Sequence, residues 1–584
     1  MLAVVAASIL LTWLVCAAVF IGIGSFFLGQ IRKEYALTDA FWIGIAIVVA
    51  ILEIYHFVRP VDLGATTLIA CFGFVGALVS RRSLLPELKK IRSIGLWTAL
   101  CYTMLIVLLA LRSAGPCEHY DTGLYGAAAI RWAITYPVVP GLANLHGRLG
   151  YHSSVFLCIA ALDQGVWRNL AHHLFAGLII AGLLGYVVPA YFRLLRGTST
   201  SSADWFLSIL LIPAMFWTAE EQVVGSMTDV PATAACFAGA ALLFRGLSKE
   251  LSARNDSSNS DQRLVVAMAL FALAAVFKLS TVVVAGLGWS IAFLQLWSLT
   301  RKSGKRIQLI AASLVLSAAI VLPWIACGLV QSGYPFYPKP LLGIPVDWQV
   351  PSAAANWETA AIRSWARMPH ARLSETQGFR WIGSWVRGNS RNREGLEVPI
   401  LIAVAGGLAC IFALVRRKRT GAWQGLWLLI PSLAGCLFWF LQAPDPRFGK
   451  AAIWITAGTL GTFGVVYLFQ DKELKWRRIA LLGLAAITAW CLYPRTLWRL
   501  SARPLLGVHG FLRLPMVKVV SRQTLSGLVV YVPAEGDKCW DAPLPCTPYL
   551  NKTLRLRRAE SMRWGFASEG LPDVPDVAGP IPGK

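Results

Sequence analysis

Glu118 and Asp121 flank His119 and Tyr120 in the stretch CEHYDTGLYGAAAIRW, where a long apolar run gives way to polar sequence. Two carboxylates at such a boundary can serve as a general base or hold a cation. The plain alternative is a pair of ordinary interfacial side chains. Further on, LHGRLGYHSSVF sets His146, Arg148 and His152 beside glycines that let a backbone approach a ligand. The guanidinium of Arg148 suits bidentate contact with phosphate. The two histidines fit hydrogen bonding or metal ligation equally, with no cysteine or third clear ligand at a metal spacing.

TAEEQVVGSMTDVP carries Glu220, Glu221 and Asp229. Asp229, close before Pro231, reads either as a helix N-cap or as a second acid facing Asp121. Lys278 in FKLS and Arg447 and Lys450 in APDPRFGK are cations at apolar boundaries, suited to an anionic headgroup or to snorkelling. For Asp445 and Arg447 a local salt bridge is the plain alternative. Glu53 and His56 lie inside an apolar run, where an acid is costly unless it has a task or a partner. Residues 331–397 open with YPFYP and hold Trp348, Trp357, Trp365, Trp381 and Trp385 with Arg363, Arg367, Arg372 and Arg380. Tryptophans gather at membrane interfaces, and aromatic rings with arginine also suit sugars and phosphates.

The elements that must position these residues are membrane spans. Of the 584 residues, 56% are hydrophobic and only 14% charged, and the mean hydropathy is +0.59. Soluble proteins carry about 25% charged residues, so much of this surface is built to face lipid. About fourteen apolar runs are long enough to propose as spans. They cover 2–29, 36–58, 63–80, 95–112, 171–194, 203–217, 228–247, 264–277, 281–299, 307–329, 398–415, 422–441, 451–470 and 479–493. The first is read as a retained span, because it lacks a basic leader and a cleavage site.

Basic residues gather in every second connector, at 32–33, 81–92, 193–196, 245–254, 301–306, 416–419 and 472–478. This is the pattern of cytoplasmic loops. It explains the net charge of +24 as topology rather than as a nucleic-acid surface, and it places both termini outside. The long polar connectors 113–170 and 331–397 and the tail then share one outer, water-facing layer. Ten of the 12 cysteines lie outside the polar C-terminal segment; Cys539 and Cys546 lie within it, spaced for a disulfide in an oxidising compartment. GLVVYVP and LRLRR read as strands of that segment.

The long first outer loop opening on an acid, its two amphipathic stretches at 123–136 and 153–167, and the second large loop after seven spans resemble the C-type membrane glycosyltransferases. That superfamily includes protein O-mannosyltransferases, aminoarabinose transferases and oligosaccharyltransferases. LHGRLGYHSSVF and CWDAPLPCTPY are also similar to phrases in bacterial multipass proteins of this type. The resemblance covers 95–397 and is mainly architectural; E-H-Y-D stands where a plain acidic pair is usual. It implies an all-α polytopic membrane protein with a small extracytoplasmic mixed α/β C-terminal domain. The divisions are accessory helices at 1–94, a catalytic module at 95–397, further helices at 398–498 and the C-terminal domain at 499–584.

The implied activity is transfer of a sugar from a polyprenyl-phosphate donor to a glycan, lipid or protein acceptor, at the outer face of a bacterial inner membrane. Asp121, with Glu118 and Asp229, would supply the acid-base chemistry. Arg148, Lys278 and Arg447 would stabilise the departing phosphate, and His146, His152, Glu221 and Asp445 would line the substrate site. No motif demands a cofactor, and a divalent cation at the acids stays open. An O-antigen ligase- or polymerase-like enzyme using His146, His152 and Arg148, a lipid-linked glycan flippase and a non-catalytic scaffold are the rival readings.

Overall fold

The computed structural model describes residues 2–31, 34–219, 223–247, 257–299, 304–416, 423–469, 473–502 and 513–573. The chain is a helical bundle with a small strand-bearing segment near its C-terminus. It opens with α1 (Leu2–Ile31), α2 (Leu37–Val58), α3 (Leu63–Val79), α4 (Arg81–Lys90) and α5 (Leu96–Ser113). The first large loop contains two short helices, α6 (Ala127–Thr135) and α7 (Ser154–Leu162). Then come α8 (Phe175–Arg196), α9 (Ser202–Ile209), α10 (Leu211–Ala219), α11 (Asp229–Leu247), α12 (Ser257–Phe277), α13 (Val282–Leu299) and α14 (Gly304–Ser332). The second large loop carries α15 (Ser352–Arg367) and α16 (Ile382–Asn389). The bundle ends with α17 (Val398–Val415), α18 (Leu429–Gln442), α19 (Pro446–Phe469) and α20 (Leu474–Ala502).

Among the described residues ten helices are long and apolar enough to cross a membrane, or eleven if α3 and the bent stretch after it make one span. The protein is therefore an integral, multi-pass membrane protein. Fourteen spans are not reached on that criterion. The run at 203–217 folds as the short, broken α9–α10 pair, and α3 bends by 86° into α4 and the turn after it.

The helices sort by depth. In α11, 94% of the most apolar stretch is buried, and in α17 only 22%. The sequence accounts for this. α11 is rich in alanine and glycine (ATAACFAGAA), which lets neighbours close on it, whereas α17 turns Leu401, Val404, Leu408 and Ile411 outward as a lipid-facing stripe. Gly24 on α1 lies directly against the Ala40 backbone of α2, leaving no room for a Cβ. α11 packs on α12, α17 on α19, and α1 on both α2 and α3.

The two amphipathic stretches of the first loop do form helices, but they do not lie free at an interface. Every residue from Ser154 to Ala161 is buried, because α7 (SVFLCIAAL) is apolar all round and packs on α2, α3 and α6. In the C-terminal segment, β1 (Val519–Gln523) pairs antiparallel with β2 (Val529–Pro533), and β3 (Arg555–Leu556) with β4 (Phe566–Ala567). Val530, Leu554 and Phe566 share a core with Ala128, Trp132, Leu142, Leu145 and Leu149 of the first loop. The segment thus caps that loop. It also grips the second, where Arg557 makes a bidentate pair with Asp347 at 2.6 and 3.0 Å.

Candidate active site

The first large loop leaves α5, makes a π-type turn at Thr122–Gly126 and enters α6. Such turns recur at functional sites because they displace one side chain from the helical ladder. Here Asp121 immediately precedes the turn. Its backbone N–H donates to His119 Nδ1 at 3.2 Å, and Thr122 Oγ1 accepts from Ser226 N at 3.1 Å, tying the loop to the connector before α11.

Asp121 projects between two arginines from distant parts of the chain. Arg148 Nη1 lies 3.4 Å from its Oδ1 and Arg447 Nη1 lies 3.0 Å from its Oδ2. Burial alone would raise the Asp121 carboxyl pKa, but Arg447 first and then Arg148 pull it down to about 2. The group is therefore ionised at any ordinary pH. Arg148 Nε also lies 3.6 Å from Glu358 Oε1, which accepts the Tyr151 hydroxyl. Lys278 donates to Asp229, and its ammonium stands 4.6 Å from the centre of the Phe448 ring. Arg447 stands over the same ring at 4.9 Å.

These groups surround a cavity of about 560 Å³ whose walls include Asp121, Tyr125, Arg148, Tyr151, Lys278, Trp365 and Arg447. The volume is that of a small-molecule site, commonly about 300–1,000 Å³. Asp445 also faces the cavity. Its carboxylate accepts the backbone N–H of Arg447 at 2.9 Å, leaving the Arg447 guanidinium to Asp121. The local Asp445–Arg447 side-chain bridge is not formed.

The remaining candidates fall elsewhere. Glu118 is exposed and does not line the cavity. Asp229 sits behind Lys278, as its counter-ion rather than as a group on the cavity wall. His146 and His152 are buried off the cavity. Burial and then the Arg148 charge lower His146 to about 3, and burial lowers His152 to about 4 although its bond to the Gly150 carbonyl opposes this. Both rings are neutral packing elements, with His152 4.5 Å from the Trp324 ring. Lys450 pairs with Glu394 at 2.8 Å inside the protein. Glu53 is buried and accepts from Ser154 Oγ at 2.6 Å. Glu220 and Glu221 lie outside the described residues. No cluster of three or more metal-ligating side chains occurs among the described residues.

One family model spans most of this architecture, matching residues 7–454. The chain belongs to DUF8201, a domain of unknown function. No curated protein matches the chain. The DUF8201 stretch contains Asp121, Arg148, Asp229, Lys278, Glu358 and Arg447, so the whole charged constellation lies inside it. The C-terminal segment lies beyond it and yet touches the site.

That contact is specific. Tyr120 donates to Asp537, the Trp540 backbone N–H donates to the Gly123 carbonyl at 2.9 Å, and the Lys538 ammonium stands 5.2 Å from the Tyr120 ring. A Cβ on Gly123 would fall about 2.6 Å from the Trp540 indole. The clamp is fixed next to a disulfide between Cys539 and Cys546, with Cα atoms 6.1 Å apart. The DUF8201 loop that bears Asp121 is thus pinned from outside by a stapled turn.

Glu358 is the site residue that the sequence reading passed over. The signal was present: Ala355, Glu358 and Ala361 recur at spacing three on the buried face of α15. An acid on an otherwise small, apolar stripe of an amphipathic helix demands a buried partner.

Proposed function

We propose that this protein is a membrane glycosyltransferase that uses a polyprenyl-phosphate sugar. The carrying observation is Asp121, ionised between Arg148 and Arg447 on the wall of a cavity at one end of a bundle of spans. Lys90, Arg193 and Arg245, from three of the basic connectors, line a polar cavity apart from the Asp121 cavity. Basic connectors mark the cytoplasmic side, and this separation supports reading the Asp121 cavity as facing the outer side.

The donor's lipid tail stays in the bilayer and its sugar enters the cavity. An acceptor hydroxyl attacks the anomeric carbon, forming the new C–O bond as the bond to the phosphate oxygen breaks. The electron pair leaves with the phosphate, and the hydroxyl proton passes to the Asp121 carboxylate. A carboxylate held near a pKa of 2 is a weak base towards a free hydroxyl. It is base enough for the oxonium that forms as the new bond closes, and its fixed negative charge favours the cationic character of the sugar in the transition state. Glu358 and Asp229 act through Arg148 and Lys278, holding those cations in place.

The test is genetic and chemical together. Surface glycans from strains with and without the gene are compared by mass, and Asp121→Asn and Asp229→Asn chains are returned to the deletion strain. The expected result is a missing sugar that wild type restores, Asp121→Asn does not, and Asp229→Asn restores weakly. Full restoration by both correctly inserted variants contradicts the mechanism.

A further inference from the structure

The cavity has a second group of cations, and their surroundings differ from those of Arg148 and Arg447. Lys339, on the cavity wall, and Arg363, just behind it, both donate to Gln442 Oε1 at 3.2 Å. Arg367, one turn further along α15, donates to the carbonyls of Thr376 and Leu441 at 2.8 and 3.2 Å. All of these acceptors are neutral. None of the three cations forms an ion pair with a carboxylate among the described residues. The buried Nε atoms of Arg363 and Arg367 have no hydrogen-bond partner among the described residues, and the Arg367 guanidinium lies 4.9 Å from the centre of the Trp381 ring.

Formal charge sharpens the contrast. Around Asp121 the three cations Arg148, Lys278 and Arg447 are met by the four acids Asp121, Asp229, Glu358 and Asp445, so that end of the cavity has no positive charge in excess. Around Gln442 three like charges are gathered with no acid paired to them among the described residues. Burial and then the Arg363 charge pull both Lys339 and Arg367 below their usual pKa values, as expected for cations lacking an anion. Like charges held together in a half-buried site are costly unless something negative joins them. The cluster also sits at the last turn of α18, a helix apolar enough to span, beside Trp365, Trp381, Trp385 and Trp439, a setting that suits a lipid phosphate.

We infer that Lys339, Arg363 and Arg367 form the seat for the phosphate of a membrane lipid, so that a lipid-linked substrate lies across the cavity with its phosphate at Gln442 and its sugar at Asp121. This rests on the transfer reading and alters it in one respect. The phosphate charge is taken up at the Gln442 end, and Arg148 and Arg447 act on Asp121 and the sugar. Arginine is the fitting residue for the seat, because its planar fork meets two phosphate oxygens at once.

The test titrates polyprenyl monophosphate, the matching neutral polyprenol and phosphatidylglycerol into the purified full chain in neutral detergent. Tryptophan fluorescence and the unfolding midpoint are read. Polyprenyl monophosphate is expected to bind at least tenfold tighter than polyprenol. Lys339→Gln combined with Arg363→Gln should lose at least tenfold of that affinity, and Arg363→Lys should keep part of it. If phosphatidylglycerol binds equally and is lost in the same double variant, the seat holds the phosphate of resident lipid. Equal binding of polyprenol, or wild-type affinity in a folded double variant, overturns the seat. Should the double variant fail to fold, the single Lys339→Gln chain and a tenfold rise in salt give the same reading, since a charge-held phosphate weakens with both. Phosphate binding without any sugar transfer would sink the transfer reading and leave the seat standing. Transfer with an unchanged KM in the double variant would do the reverse.

Discussion

Two aspartates in this molecule are each held between two arginines, and they are built for different ends. Asp204 on α9 accepts from Arg193 at 2.6 and 2.9 Å and from Arg245 at 3.0 Å, near the basic connectors. Arg193 lies only eleven residues away, and its fork covers both carboxylate oxygens. Asp121 has one longer contact to each of two arginines, at 3.4 and 3.0 Å, drawn from 27 and 326 residues away. Asp204 is saturated by three close contacts, as a structural lock between neighbouring helices should be. Asp121 is held by one contact to each arginine and faces a cavity. A carboxylate with acceptor capacity left over can meet a substrate; one enclosed in a bidentate clamp cannot.

The sharpest way to break this comparison is to neutralise each acid in turn. Asp121→Asn should cost about 10²–10⁴-fold in transfer rate, the usual worth of a general base, with the unfolding midpoint little changed. Asp204→Asn should do the opposite. It strands two arginines at a buried site and should cost on the order of 2 kcal/mol, a figure reduced because Arg193 is partly exposed. The surviving folded molecules should transfer at the wild-type rate. Thermal unfolding and turnover per folded molecule, measured side by side, separate the two outcomes.

Removing one arginine from the looser site sharpens the comparison further. In wild type the Asp121 carboxyl stays near 2, so the rate should be flat from neutral pH down to about pH 4. Arg447→Gln takes away the largest stabiliser of the charged form and lets burial raise the pKa. An acid limb should then enter the pH profile, with activity falling as pH drops through the new value. A profile as flat as wild type would show that Arg447 does not govern Asp121.

The fold was legible in the sequence to the extent that hydropathy and charge alternation determine it. Apolar runs gave most helices, and the basic connectors gave their alternation. The run at 203–217 misled because composition cannot register a break: it divides into α9 and α10. Convergence of Asp121, Arg148, Lys278 and Arg447 was also legible, since Asp121, Lys278 and Arg447 each stood at a polar–apolar boundary and Arg148 stood in the same loop as Asp121. What sequence could not supply was pairing. Asp229 reads equally as a cap or a catalytic acid, and its pairing with Lys278 is seen only in the structure. The histidines near Arg148 looked functional because they are clustered, yet their rings turn into the core. Glu358 was hidden because its partners Arg148 and Tyr151 lie more than two hundred residues earlier.

Smaller effects bear on what holds the looser site together. Glu358→Gln leaves Arg148 with one acid instead of two and should lower kcat by about tenfold, within the worth of a hydrogen bond to a charged group. KM should change less, because Glu358 acts through Arg148. Replacing Cys539 and Cys546 together by serine should loosen the turn that pins Gly123 and Tyr120. A loss of a few-fold in rate and a lower unfolding midpoint are expected, and a rate unchanged at full reduction would show that the staple does not reach Asp121.

The most direct measurement is single-turnover transfer by the purified chain in lipid bilayers, with a panel of radiolabelled polyprenyl-phosphate sugars, comparing wild type with Asp121→Asn. Product from wild type with one of these donors, falling at least about a hundredfold in a variant with the same unfolding midpoint, is the expected result. Equal product from both proteins would contradict the role given to Asp121.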